Sequence, residues 1–294
     1  MNNFFRDKKA ILFFTLPALT LFAIIVLVPI LVSVYYSLLN WKGLGQPTFI
    51  GLKNYINLFA DPDNYFVFGI KNSALLAVLS VFLQIPIALI LALVIARKTK
   101  GEGVFRSIYF IPVIISTAVL GQLWDKIYQP DGLLNFILKG IGMESLTRGW
   151  LGDPEVALGA AFFVMIWQYI GYHMLLMYSQ IKSIPTSMYE AAEIDGASSL
   201  QVATKITIPL IKPMIKVCVT FAIIGSLKTF DLIWVMTKGG PLHATEVPTT
   251  IMFRTIISQS RYGMGSAMAI FILLECLILT IIVQRYFKAE NYEY

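Results

Sequence analysis

The chain has 294 residues, 57% hydrophobic and only 14% charged, with a formal net charge of +6 and a mean hydropathy of +0.73. A soluble domain carries about a quarter charged residues, so this chain lacks the polar surface to stay in water and its excess apolar content must face lipid. The positive charge does not point to nucleic acid, because the basic residues flank apolar runs and do not cluster among exposed aromatics.

Six stretches reach the length of about 20 apolar helical residues that a bilayer core requires. They are Ala10–Leu38, Ile70–Ala96, Ser107–Trp124, Val156–Ile181, Met214–Thr237 and Gly265–Val283. The first follows a basic head with Arg6, Lys8 and Lys9, but it far exceeds the apolar core of a signal peptide and reads as an uncleaved span. An even number of spans puts both termini on one side. A cytoplasmic N-terminus places 13 of the 23 Lys and Arg inside: Arg6, Lys8, Lys9, Arg97, Lys98, Lys100, Arg106, Lys182, Lys205, Lys212, Lys216, Arg285 and Lys288. That is the positive-inside pattern. The expected architecture is all-α and polytopic, one transmembrane domain over residues 1–294.

In the second stretch Ser73, Ala77, Ser80, Gln84 and Ala88 recur every three or four residues, a small and polar stripe. Gln168, Gly171, Tyr172 and Ser179 form a similar one in the fourth. Each stripe alone reads as helix packing, and several in one bundle read as the wall of a hydrated path. Lys228 and Asp231, three apart, could pair on a helix. Asp231 and Glu275 are read as the only buried acids, Glu275 lacking a local partner, and an ionisable group at membrane depth is a functional candidate. Cys218 and Cys276 lie inside apolar runs and read as small hydrophobes. His173 and His243 are too far apart to form a site.

The loop from Lys182 to Pro213 differs from the other connections. Ser187 and Glu190 have the spacing of a capping box, Met188–Asp195 reads as helix, and Gly196 reads as its left-handed stop. Ser198 and Gln201 repeat the box, and the second helix is expected to end before Pro209. The first helix would be only about 12 Å long, marginal by itself, so it needs a surface to dock on.

This loop resembles the EAA signature of permeases in binding-protein-dependent ABC importers, EAA-x3-G-x9-I-x-L-P. Glu190, Ala191, Ala192, Gly196, Ile206 and Pro209 occupy the matching places, with Ile208 where leucine is usual. The resemblance implies a type I importer permease bundle of six transmembrane helices with a cytoplasmic coupling helix, residues 182–213 forming the coupling loop. In such a loop Glu190, Glu193 and Asp195 are expected to meet basic or hydrogen-bonding groups of an ATPase, Ala191 and Ala192 to allow close approach, and Gly196 to permit the bend. GLKNY from Gly51, Asn72, RSIYFIPVIIS from Arg106, GLLN from Gly132 and FDLIWVMTKGGP from Phe230 are similar to the carbohydrate branch, the maltose, glycerol-phosphate and multiple-sugar permeases. Lys228 is common in that branch and does not argue for an anionic substrate.

No G-x-x-x-x-G-K-[ST] loop occurs. ATP and Mg are therefore expected on a cytoplasmic ABC ATPase dimer, with no cofactor in this chain. Two ATPase subunits need two coupling loops, so the chain is expected to pair with a copy of itself or, as the resemblance to carbohydrate systems implies, with a second, related permease. The resemblance also implies an extracytoplasmic solute-binding protein docking on outer loops including Lys238–Tyr262, and alternating access driven by ATP. Substrate contacts are expected from Asn72, Gln84, Gln168, Tyr172, Phe230, Asp231 and Trp234, since aromatic faces suit sugar rings and amides suit hydroxyls. A membrane enzyme would need carboxylates or histidines converging at one depth, which nothing here supplies. A sensor or scaffold that uses the docking loop without transport is the alternative.

Overall fold

The computed structural model describes residues 8–97 and 101–286. Arg6, Lys98, Lys100, Lys288 and both chain ends, on which part of the expected orientation rests, lie outside them. In chain order the helices are α1 (Lys8–Phe22), α2 (Val28–Ser37), α3 (Lys53–Ala60), α4 (Phe66–Leu79), α5 (Ile85–Ile95), α6 (Glu102–Ile114), α7 (Thr117–Ile127) and α8 (Leu133–Gly140). Then follow α9 (Ala157–Lys182), α10 (Thr186–Ile194), α11 (Ser199–Val202), α12 (Ile208–Leu210), α13 (Lys212–Leu227), α14 (Asp231–Met236), α15 (Pro248–Ile257) and α16 (Tyr262–Tyr286). Two-residue strands β1 (Leu39–Asn40) and β2 (Thr48–Phe49) pair antiparallel.

Among the described residues five helical segments are long and apolar enough to cross a membrane: Leu12–Ser37, Phe66–Ile95, Ala157–Lys182, Lys212–Met236 and Tyr262–Tyr286. A sixth crossing is available only from α6 and α7 taken together, and they meet at 96°. The expected straight span Ser107–Trp124 is therefore corrected to a bent pair. Pro112 lacks the N–H that would bond to the Ile108 carbonyl, and Ile115 and Ser116 are extended, with ψ of 133° and 132°.

The fifth expected span is also broken. α13 stops at Leu227 and α14 starts at Asp231. Ser226 donates its hydroxyl to the Ala222 carbonyl four residues back at 2.7 Å, a bond that bends helices. Thr249 takes the Thr229 carbonyl with its hydroxyl. With the helix interrupted, Lys228 and Asp231 form no ion pair within 4.0 Å.

Three prolines share one solution. Pro29, Pro86 and Pro209 each sit two residues beyond a five-residue π turn: Ala23–Leu27, Ser80–Gln84 and Ala203–Thr207. In each the next N–H reaches back five residues, Val28 to Ala23, Ile85 to Ser80 and Ile208 to Ala203. A widened turn makes room for the proline ring and for the carbonyl it leaves without a donor. The second loop helix therefore runs on past Pro209 to Leu210, where the sequence predicts a stop.

The chain divides into two compact units, one of residues up to Pro62 with Met252–Leu273, the other of Asp63–Ile251 with residues from Leu274 on. In the first, Asn54 of the GLKNY motif donates to the Ser37 and Leu39 carbonyls at 2.8 and 2.9 Å. Tyr55 donates to the Ser37 hydroxyl at 2.8 Å, so the motif clamps the end of α2. Trp41 sits 4.8 Å from Tyr36 and 5.4 Å from Tyr262, ring to ring. In the second unit α9 packs on α5 and α6, α13 on α4, and α14 on α7. Asn135 of the GLLN motif donates to the carbonyls of Gln129, Pro130 and Arg148, and it accepts from Trp150 Nε1 at 2.9 Å. It thereby closes the loop around α8.

Candidate functional site

The second-span stripe faces inward as its spacing predicts: Ser73, Ala77, Ser80, Gln84 and Ala88 are all buried. On α9 Gln168 and Gly171 are buried and Tyr172 is half-buried, but Ser179 is exposed. These helices and the α13–α14 break enclose a cavity of about 450 Å³ within the second unit. That is within the range of small-molecule sites.

Gln84, Gln168, Tyr172, Phe230 and Asp231, five of the seven predicted contacts, line it. Trp234 does not, although its ring stacks on Phe230 at 5.6 Å and 18° and so fixes that wall. Asn72 does not either. Its amide donates to the carbonyls of Ala244 and Glu246 at 3.2 and 2.8 Å, which commits it to holding a loop. Asp231 is exposed to the cavity on the first turn of α14, where the helix N-terminus favours a negative charge.

Groups outside the seven predicted contacts also line the cavity, among them Ser80 of the predicted stripe and Lys228. Lys228 and Thr229 reach it because the helix breaks there, which composition does not signal. His173 lines it too, 3% exposed, with Nδ1 lacking a hydrogen-bond partner. Ser80 and Ser226 meet across it at 3.1 Å. Among the described residues no three His, Cys, Asp or Glu side chains converge to hold a metal.

Two findings overturn the reading that Asp231 and Glu275 are the only buried acids: Asp231 is exposed, and Glu246 is buried, its exposure being 0%. Thr250 donates to Glu246 Oε2 at 2.6 Å, and His243 Nδ1 faces Oε1 at 3.1 Å. Its hydroxyl, imidazole and glycine neighbours occur in loops of every kind, so the sequence carries no periodic signal for this burial. Glu275 is half-buried, with Oε2 enclosed and lacking a hydrogen-bond partner.

The loop after α9 has two parts. α10 begins at Thr186 with Pro185 as its cap and no side-chain cap bond. The expected Ser187–Glu190 box is absent because Ser187 already lies inside the helix. The helix ends as predicted: Gly196 has φ +72°, its N–H bonds to the Glu193 carbonyl and that of Ala197 to Ala192, a Schellman closure. The Ser198–Gln201 box is present in both directions, at 2.7 and 3.3 Å. Glu190, Ala191, Glu193, Asp195 and Gly196 are exposed, and Ile206 and Pro209 are half-buried. Ala192 is 6% exposed and turns into the chain, whereas Ile194 is 87% exposed. Ala191, not Ala192, is the small residue on the outer face.

Residues 84–289 match the family "Binding-protein-dependent transport system inner membrane component". The chain is 39% identical over 284 residues to the probable ABC transporter permease protein YurN of Bacillus subtilis, covering 95% of this chain and 96% of that one. It is 31% identical over 280 residues to the trehalose/maltose transport system permease protein MalF of Thermococcus litoralis, covering 95% and 93%. Its fold resembles a chain of a bacterial ABC transporter solved in connection with import of the polysaccharide alginate, with TM-score 0.82, 24% identity and 98% of both chains covered. By the extent of the family match and of these relatives, the chain belongs to the inner-membrane components of binding-protein-dependent transport systems.

Proposed function

We propose that the chain is the permease subunit of an ATP-driven importer for a carbohydrate and works by alternating access. Its family makes it a multi-pass transport component, not an enzyme. The observation that carries the reading is the continuity of α9. It runs unbroken from Gln168 and Tyr172 at the cavity to Lys182 at the loop, about 15 Å from Tyr172. A push on the loop thus reaches the cavity through one rigid element.

The exposed face of α10 and α11 supplies a docking surface for a cytoplasmic ABC ATPase through Glu190, Ala191, Glu193, Asp195 and Gly196. Ala192, Ile206 and Pro209 hold its shape. A second related permease supplies the other coupling loop, and an extracytoplasmic solute-binding protein delivers substrate. Amides of Gln84 and Gln168 with rings of Tyr172 and Phe230 suit hydroxyls and sugar faces, and the trehalose/maltose relative supports that class. The thirteen basic residues of the inner loops support cytoplasmic termini, and residues 1–294 form one permease domain with 182–213 as its coupling segment.

The test is reconstitution with the ATPase, second permease and solute-binding protein in proteoliposomes, with labelled maltose, trehalose and diacetylchitobiose as probes. ATP-driven accumulation of one probe that requires the binding protein is expected, and its loss in Glu190→Lys and Gly196→Pro. Stimulated hydrolysis without accumulation of any probe would overturn the carbohydrate class. Hydrolysis indifferent to the binding protein would overturn the importer and favour a sensor.

A further inference from the structure

The segment Thr237–Val247 carries the KGGP part of a sequence motif and takes no part in lining the cavity. Lys238, Leu242 and His243 all have positive φ, at 52°, 48° and 66°. Side chains rarely adopt that conformation, and it persists only where the surroundings over-determine it.

The surroundings here converge on one carboxylate. A Cβ on Gly239, itself at φ +88°, would meet the Glu246 carboxyl carbon and both oxygens at 2.5 to 2.6 Å, so the main chain lies directly on the acid. His243 and Thr250 take one oxygen each, and Tyr65 stacks on the His243 ring at 3.9 Å and 14°. Thr245 donates to the Gly240 carbonyl at 2.7 Å, and the Thr237 and Thr245 hydroxyls lie 2.7 Å apart. The result is a turn folded inward around Glu246, with Leu242 at its tip 85% exposed.

The turn is also tied to the cavity wall. Asn72, which holds the Ala244 and Glu246 carbonyls, lies one helical turn from Leu76, and Thr249 holds the Thr229 carbonyl. Leu76 and Thr229 both line the cavity.

We propose that Glu246 is a positioning residue for receipt of substrate: it keeps the Thr237–Val247 turn in one pre-folded shape that the solute-binding protein meets at Leu242. The inference rests on the reading that such a protein delivers substrate to this chain. Pre-folding matters because a turn that must be ordered on contact weakens association without altering the steps that follow.

The test titrates ATP hydrolysis by the full complex in nanodiscs against the solute-binding protein. Glu246→Ala and Thr250→Val are expected to raise the half-saturating concentration about tenfold, equivalent to about 1.4 kcal/mol, while the plateau rate is kept. Glu246→Gln, which keeps shape and hydrogen-bonding capacity, should restore most of the affinity. A spin label on Leu242→Cys, with Cys218 and Cys276 replaced, should pass from immobile to mobile in the same variants. If Glu246→Ala does not assemble, Thr250→Val carries the test, since it leaves the acid in place. A wild type stimulated by the binding protein, with unshifted variants, overturns this proposal alone. A flat wild-type titration overturns the importer reading as well.

Discussion

Gly171 of α9 lies so close to the Tyr109 carbonyl of α6 that a Cβ at this position would overlap it. The two helices cross backbone on backbone, as small residues permit in membranes, one residue before the cavity-lining Tyr172. Gly171→Ala should therefore destabilise the protein by about 1–3 kcal/mol or more, because the obstacle is main chain and cannot turn aside. Gly159 of the same helix has nothing within 4 Å of its Cβ position. Gly159→Ala should be neutral or stabilising by up to about 1 kcal/mol. Thermal unfolding in detergent decides, and equal melting of the two variants contradicts the close crossing.

This crossing shows why part of the fold is legible in sequence. The spacing of Ser73, Ser80 and Gln84 marks an inward face, and Gly171 belongs to a stripe that reads as a packing surface. Both are periodic features of single helices. The helix break at Lys228–Phe230 was not legible, because it depends on Thr249, twenty residues further on, taking the Thr229 carbonyl. A Lys228–Asp231 pair needs a helical register that the break between Leu227 and Asp231 removes. Asn72 reads as a substrate group because an amide suits sugar hydroxyls, and only the folded chain reveals that the Ala244 and Glu246 carbonyls take its donors. In the loop after α9 the stop at Gly196 and the box of Ser198 with Gln201 were legible because they act within a few residues, whereas the Ser187–Glu190 box and the stop before Pro209 were not.

The two alanines of the loop should separate folding from docking. Ala192 is buried, so Ala192→Leu overpacks the chain by about 1–3 kcal/mol and should lower the melting temperature before any partner is added. Ala191 is exposed, so Ala191→Leu should melt normally and fail to retain the ATPase on affinity capture. Ile194→Asp should behave like Ala191→Leu, since its side chain stands in solvent. If Ala192→Leu melts like wild type, the inward assignment of that residue is wrong.

Asn72→Ala leaves the Ala244 and Glu246 carbonyls without their donor. Each unsatisfied buried group costs about 1–3 kcal/mol, so thermal stability should fall even without substrate. Gln168→Ala, on the cavity wall, should instead melt near the wild-type temperature and lose uptake of the probe sugar. A stable Asn72→Ala with weakened substrate affinity would return Asn72 to the substrate path.

Trp234 offers the sharpest separation of wall from support. It does not line the cavity, yet it stacks on Phe230, which does. Offset aromatic pairs contribute about 0.5–1.5 kcal/mol beyond their burial, enough to hold one rotamer of Phe230 against the alternatives. Trp234→Phe keeps a ring in place and should retain most of the uptake rate. Trp234→Ala frees Phe230 and should raise the sugar concentration for half-maximal uptake several-fold, by about 1 kcal/mol at the ring. Phe230→Ala should do at least as much, and adding Trp234→Ala to it should cost little more, because the support then has nothing to hold. Additive losses in the double variant would show that Trp234 acts on the substrate by another route than Phe230.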